Sequence, residues 1–260
     1  MRRLSFSRRI VSAVAWGLLL CLSAVTNANA AEIKVLTSVA LTSALNELAP
    51  KFEQATGNKL DIGYSLIAEI RKRTLAGETA DVIILSRPVM DELQKQDKFA
   101  PDSVVDIAGT AVALAVREGA PKPDISTVDA LKQTLLNAKS IVYADPAKGG
   151  AAGVYFAHVV DRLGIADQLM SKTILVPGAQ AADMVASGEA EIGVGQASEI
   201  VPIAGAQVLG PLPGELASTT VFTGGIGASS ENPDAAKSFL QFLGGSVAKP
   251  VLSAKGFHPG

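Results

Sequence analysis

Between Glu32 and Phe52 a short apolar strand pattern passes directly into an amphipathic helical one, and this junction restricts the possible folds more than any other stretch. Ile33, Val35 and Leu36 read as a buried strand, while Leu41, Leu45, Leu48 and Phe52 recur at helical spacing. The join, Thr37-Ser38-Val39-Ala40, then lies at the carboxyl end of a strand and the amino end of a helix. Free backbone N–H groups and the positive end of the helix dipole favour an anion there. Thr37 and Ser38 are equally explicable as turn and cap residues if the join stands alone.

It does not stand alone. Lys59 to Ser65 reads as a second strand and Ile67 to Leu75 as a basic helix closed by Gly77. Ala80 to Leu85 is a third strand, continuously apolar as buried parallel strands are, and Val89 to Gln96 is its helix. Gly57 is expected to end the first helix, and Pro50 to kink or split it near Ala49. Repeated strand–helix units argue for an α/β fold, a parallel sheet with helices on its faces. The pattern changes at Gly109: Ala111 to Val116 is a strand and Thr127 to Ala138 a helix.

A second set of units follows. Lys139 to Ala144 reads as strand, Asp145 to Gly153 as loop and Val154 to Leu163 as helix. Strand Lys172 to Val176, helix Ala179 to Ser187, strand Glu191 to Val194 and a shorter strand Val208 to Gly210 come next. Thr219 to Thr223 is one more strand, and helices Pro233 to Leu243 and Val247 to Ala254 finish the chain. No sequence repeat of about 20–50 residues and no low-complexity tract is present. Two sets of units predict two similar lobes: residues 31–113 with 221–260 as lobe I, and 114–220 as lobe II. Strands near Ala111 to Val116 and Thr219 to Thr223 would carry the chain out and back.

Residues 1–30 belong to neither lobe. Arg2, Arg3, Arg8 and Arg9, the apolar run Ile10 to Val25, and Ala28-Asn29-Ala30 have the form of a secretory signal peptide cleaved after Ala30, which predicts a periplasmic protein. A membrane anchor would need a longer apolar span of roughly twenty residues without a cleavage pattern. Ser7-Arg8-Arg9 hints weakly at twin-arginine export. Cys21 is the only cysteine, lies in the leader, and follows Leu20 where a lipoprotein signal has a small residue. The mature chain therefore has no thiol, disulfide or cysteine metal ligand. It has 19 basic residues, four of the 23 being in the leader, against 25 acidic ones, a net charge of −6. Such a charge argues against nucleic acid as a partner, so an anionic ligand has to be captured by local geometry.

The usual catalytic signatures are missing: there is no GxxxxGK[ST] phosphate loop, no GxSxG elbow and no HExxH pair. His158 and His258 lie 100 residues apart, so no histidine metal site and no cofactor are expected; His158 reads as a helix-surface or packing residue. What remains is a set of small-residue loops, each opening a helix: Thr37 to Ala40, Tyr64 to Ile67, Ser86 to Pro88, Lys148 to Gly153 and Gly195 to Ser198. Open α/β sheets bind ligands at those strand ends, and five such loops over two lobes point to an interlobe cleft. The candidate ligand-binding residues are Ser38, Val39, Ala40, Leu66, Ile67, Ser86, Gly150, Ala151, Ala152 and Gln196.

Gly149 to Gly153 is the most informative loop, because small side chains let a ligand touch the backbone; a tightly turned connection is the structural alternative. Arg71, Arg87 and Lys148 add positive charge. Arg71-Lys72-Arg73 span less than one helical turn, so at most one or two face a cleft, and a solvated basic face explains them as well.

Ser38 to Leu48, Ala76 to Val82, Asp145 to Tyr155 and Ala190 to Gln196 resemble motifs of periplasmic molybdate-binding proteins, the solute receptors of ABC importers. The resemblance spans nearly the whole mature chain. It implies a two-lobed type II periplasmic binding fold that closes over its ligand by hinge motion, a monomer, and a membrane permease as partner. That family holds a tetrahedral oxyanion with two serine hydroxyls, an alanine N–H and a tyrosine hydroxyl. Those positions fall here on Ala40, on Leu66 or Ile67, on Ala152 and on Gln196, so three of the four side chains differ.

Losing a hydrogen bond to a charged group costs roughly 1.5–3 kcal/mol, which argues against molybdate. A small di- or tricarboxylate fits better, with one carboxylate on Ser38 to Ala40 and another near Gly150 to Ala152. Leu66 and Ile67 would line its carbon skeleton, and Arg71 or Arg87 would pair bidentately with a carboxylate. A receptor for such an anion is the leading expectation.

The alternative is an enzyme. The chain also resembles the exported aconitate isomerases, which are similar to molybdate-binding proteins but move a double bond in a tricarboxylate. That reaction needs a base beside a carboxylate and donors for the developing enolate-like charge. Asp145, Glu199, Tyr64 and Glu69 are the candidate bases, with Asp145 before Pro146 also explicable as a turn residue. An adhesion or scaffolding role has no long apolar surface segment behind it.

Overall fold

The structure is a computed structural model that describes residues 30–259, so the expected signal peptide and Cys21 lie outside the described residues. The first half contains β1 (Glu32–Ser38), a 3-10 turn (Val39–Leu41), α1 (Thr42–Thr56), β2 (Lys59–Ser65), α2 (Ile67–Leu75), β3 (Val82–Ser86) and α3 (Arg87–Gln94). After β4 (Val105–Arg117) come α4 (Val128–Asn137), β5 (Ile141–Ala144), α5 (Ala151–Arg162), α6 (Ala166–Met170) and β6 (Thr173–Val176). Next are α7 (Ala181–Ser187), β7 (Ile192–Gln196), α8 (Ala197–Ile200) and β8 (Ala206–Pro211). The chain closes with β9 (Thr219–Ile226), α9 (Pro233–Leu243), α10 (Ala248–Ala254) and β10 (His258–Pro259).

The sheet is mixed, in the order β2-β1-β3-β9-β4-β7-β5-β6, with β8 and β10 also paired to β4. Strands β2, β1 and β3 are parallel, as are β7, β5 and β6, whereas β9 and β4 run antiparallel to their neighbours. Strand β4 is longer than its apolar stretch predicts. Val105 to Ala111 pairs with β9, and Val112 to Arg117 pairs with β7 and β8, so one strand serves both halves. The chain leaves the first half along β4 and returns along β9.

Each half has its own core. Leu45, Leu48 and Phe52 of α1 are fully buried against β1 and the C-terminal helices, with Phe52 meeting Phe239 edge-on at 5.0 Å between centroids. The second core gathers Val112 and Leu114 of β4 around Phe156 of α5, which stacks edge-on with Tyr143 at 5.0 Å. Burial at this scale, roughly 25 cal/mol per Å² of apolar surface, outweighs local propensity. Pro50 illustrates this. It was expected to kink or split the first helix; α1 is not split but continues from Thr42 to Thr56 through it, because the missing N–H removes one backbone bond while the stripe Ala44, Leu45, Leu48 and Phe52 stays buried. Gly57 ends that helix at φ 79°, as its position predicts.

A second correction concerns α5, which begins at Ala151 and not at Val154, so Ala151 to Gly153 form its first turn instead of a loop. Gly153 permits this close seating: a Cβ there would lie 2.1 Å from the carbonyl oxygen of Ala144 at the end of β5. The glycine-rich composition hides the helix start from propensity arguments, while close contact with the strand end requires it.

Candidate functional site

Four of the five expected loops approach one another in pairs where the two halves adjoin, Leu66 with Gly150 and the Val39–Leu41 turn with α8. At the end of β1, Ser38 is buried and its Oγ accepts the Ala40 N–H at 3.3 Å. At the end of β2, Leu66 precedes α2 without a side-chain cap, and Glu69 and Ile70 both donate to its carbonyl. The amides of Ile67 and Ala68 are therefore the open first-turn donors of a nine-residue helix. Across the seam Gly150 precedes the twelve-residue α5, again with no side-chain cap, and Val154 donates to its carbonyl. The amides of Ala151, Ala152 and Gly153 are left open in the same way.

These helix starts touch. A Cβ on Gly149, whose φ is +75°, would lie 2.4 Å from Ala68 Cβ, and one on Gly150 would lie 3.8 Å from Leu66 Cδ2. Ala151 packs against the core of the first half. Two positive dipole ends brought together repel unless negative charge lies between them, and each end is worth about 0.3–1 kcal/mol to a nearby anion. Such an arrangement suits negative charge. Its surroundings are apolar and small: Ala40, Leu66, Ile67, Ala68, Ala151 and Ala152.

The end of β7 behaves differently from its sequence expectation. The amide of Gln196 donates to Glu199 Oε2 at 3.0 Å, and the amide of Ser198 donates to Thr110 Oγ1 at 3.1 Å. Those donors are occupied by the chain itself. Gln196 is only 1% exposed; its Nε2 donates to Thr220 Oγ1 at 2.8 Å, and its Oε1 has no partner. Thr37 Oγ1 and Ser198 Oγ are also buried without partners. Unsatisfied buried groups cost about 1–3 kcal/mol each, and these three lie at the end of β1 and at the end of β7. Helix α8 lies against the Val39–Leu41 turn, which joins this end to the first half.

Glu199 is the one strongly perturbed acid here. Its carboxyl is enclosed although the residue keeps some accessible surface, and burial pushes it up to about 7 against the lowering effect of the Gln196 amide. The other candidate bases are placed less suggestively. Asp145 Oδ1 accepts the Ala147 N–H at 2.9 Å, the geometry of a turn residue. Tyr64 donates to Asn46 Oδ1 at 3.4 Å, and burial raises its phenol. Glu69 is half-exposed, 4.0 Å from Lys72.

The candidate arginines are matched by carboxylates of neighbouring elements. Arg71 holds Glu92 of α3 through two contacts, Nε to Oε2 at 2.8 Å and Nη2 to Oε1. Arg87 holds Asp106 of β4 at 2.7 Å and approaches Asp91 at 3.7 Å. Lys148 is exposed, and its side chain has no hydrogen-bond or ion-pair partner among the described residues. Ser86 is half-buried at the start of α3 with no side-chain cap bond. His158 is exposed on α5, and His258 lies in β10 against Gly109, where any Cβ would meet its ring at 2.3 Å. Among the described residues no group of three His, Cys, Asp or Glu side chains is placed to hold a metal.

Sequence reasoning missed two contributions. Thr110 and Thr220 on the strands linking the halves anchor Ser198 and Gln196, and nothing in the local sequence distinguishes them from the other threonines of these strands. The turn Pro177 to Gln180 ends β6, which is parallel to β5, so it lies on the same sheet edge as the Gly150 loop.

Residues 33–258 match the sequence family of bacterial extracellular solute-binding proteins. The chain belongs to that family. Among relatives of this solute-binding protein, an aconitate isomerase from a Pseudomonas species is 35% identical over 233 residues, covering 87% of each chain. The molybdate-binding protein ModA of Azotobacter vinelandii is 28% identical over 265 residues, covering 98% and 99% of the two chains. The solved Azotobacter vinelandii periplasmic molybdate-binding protein superposes with a TM-score of 0.72 at 21% identity, covering 88% of this chain and 99% of its own. The fold is therefore the two-lobed one of molybdate-binding-type periplasmic binding proteins. No helix among the described residues is long and apolar enough to cross a membrane.

Proposed function

We propose that this solute-binding protein holds a small tricarboxylate of the aconitate class between its halves and shifts the ligand's double bond, acting in the periplasm as an aconitate isomerase. The meeting of the open amino ends of α2 and α5 at Ala68 and Gly149 carries this reading. Amides from both sides hold separate carboxylates of one extended anion, Leu66 and Ile67 cover its carbon skeleton, and the same donors stabilise enolate-like charge as a proton leaves. The 35% identity with an aconitate isomerase supports the chemistry. The absence of hydroxyl side chains at Ala40, Leu66, Ile67 and Gln196 favours carboxylates over a tetrahedral oxyanion. In this reading residues 31–113 with 221–260 form one lobe, 114–220 the other, and a monomer suffices.

Proton NMR of trans-aconitate with the purified protein tests it. Conversion to the cis isomer is the expected result; line broadening without conversion shifts the assignment to a receptor. That second reading, a tricarboxylate receptor delivering its ligand to an ABC permease, is favoured by the solute-binding family itself. Calorimetry with molybdate, tungstate, sulfate, citrate and both aconitates covers the rest, and tight binding of molybdate alone overturns both readings.

A further inference from the structure

We infer that Glu199 is the proton-transfer residue of this site, a role that rests on the isomerase reading and adds to it the group that does the chemistry. The residue lies at the third position of the short helix α8, and its Oε2 reaches back to the backbone N–H of Gln196, where β7 ends. Gly195, one residue earlier, leaves room for it: a Cβ there would stand 3.2 Å from Oε2. Its second oxygen, Oε1, makes no hydrogen bond among the described residues. One oxygen is thus fixed by the backbone while the other is free to take a proton. Beside it Gln196 is anchored to Thr220, and the Val39–Leu41 turn approaches from the other half.

No cation compensates this carboxylate. Helix α8 packs on β4, β7, β8, α7, the Val39–Leu41 turn and Gly256; Lys255 beside that glycine pairs with Glu47 at 3.5 Å, and no charged side chain shifts the Glu199 titration, which burial alone raises and the Gln196 amide alone lowers. The Oε2 contact is the capping box of α8, which gives this acid a structural role as well but supplies no cation. An enclosed, unpaired one held near neutrality suits a general base, which works best with a pKa close to the operating pH.

The step balances without a co-reactant. Glu199 takes a proton from the methylene carbon of the bound tricarboxylate, and the electron pair forms a new double bond to the central carbon. The old double bond shifts into the dienolate, whose charge the α2 and α5 amides hold, and its far carbon then accepts the proton back. Because the far carbon becomes the new methylene, the conformation about the bond between the central carbon and the deprotonated carbon, held as the proton leaves, decides whether the product is the trans or the cis form.

The test is Glu199→Gln, which keeps the reach needed to accept the Gln196 N–H. Turnover of trans-aconitate is expected to fall by roughly 10²–10⁴-fold, while calorimetric affinity for the same ligand stays within about threefold. The wild-type rate should rise with pH through a limb near 7, because the base must be ionised, and the residual rate of Glu199→Gln should lack that limb. Retained turnover in Glu199→Gln overturns the assignment and leaves the isomerase reading intact; a wild type that binds aconitate but never converts it sinks both. Should Glu199→Gln not fold, Glu199→Asp decides with the wild-type pH profile, since a carboxylate one methylene short must lose rate and keep the limb. A flat wild-type profile overturns the proposal.

Discussion

Substituting Gly149 with alanine separates two effects that a ligand-binding seam usually confounds. Gly149 sits at φ +75°, and its new Cβ would lie 2.4 Å from Ala68 Cβ on α2. Carbon atoms in contact sit about 3.5–4.0 Å apart, so the α5 loop and α2 must part by roughly 1.1–1.6 Å. Overpacking of this kind costs about 1–3 kcal/mol, and because it arises only where the halves touch, it is charged to the closed state. Affinity for trans-aconitate should drop about 5–150-fold by calorimetry. The left-handed backbone angle adds about 1–2 kcal/mol whether the seam is open or closed. That part should appear as a fall in Tm without ligand of about 2–8 °C for a chain of this size. Adding Ala68→Gly removes the opposing Cβ and leaves Ala68 Cα at 3.7 Å, an ordinary contact. The double variant should therefore recover affinity to within about threefold of Ala68→Gly alone, but not recover the lost Tm. Unchanged binding in Gly149→Ala, or a loss that Ala68→Gly fails to rescue, would refute a seam closed by this contact.

Two further outcomes concern the frame that holds the site. Asp81, buried before β3, accepts from Ser230 Oγ at 2.7 Å, the Lys34 amide at 2.9 Å and the Asn232 amide at 3.0 Å, and ties the C-terminal segment to β1. Burial pushes its carboxyl up, but these bonds outweigh that and hold it low. Asp81→Ala leaves the donors unpaired at a cost of about 2–4 kcal/mol, a Tm loss on the order of 10 °C by calorimetric scanning; a loss under about 2 °C would contradict the role. Glu78 is held at about 2 by Arg73 first and then Lys34, with burial opposing. A folded-state pKa below the unfolded value adds stability above the ordinary 4.5 that is lost as pH falls towards 2. Urea midpoints at pH 6 and pH 3 should converge in Glu78→Gln relative to the wild type, and an unchanged gap would count against this pairing.

Strand and helix periodicity carried most of the fold, because a strand buried on both faces and a helix with one apolar stripe are local properties of the chain. β2 and α9 have the bounds their residues predict, and the loops at Ser38, Leu66 and Gly150 were identifiable as small-residue joins. Less was legible where distant residues compete. Arg71 and Arg87 looked like anion ligands until Glu92 and Asp106 met them, and no spacing in the sequence forecasts those partners. Likewise Gly195 to Ser198 looked like a loop of free amides, yet Thr110 and the chain's own Glu199 occupy them.

The sequence by itself determined that strands would end in small residues opening helices. Tertiary structure alone decided that the starts of α2 and α5 abut, and that the Glu199 carboxyl is enclosed without a counter-ion. The physical reason is that periodicity and caps act over a few residues, whereas dipole repulsion, desolvation and ion pairing depend on which groups folding brings within a few ångströms.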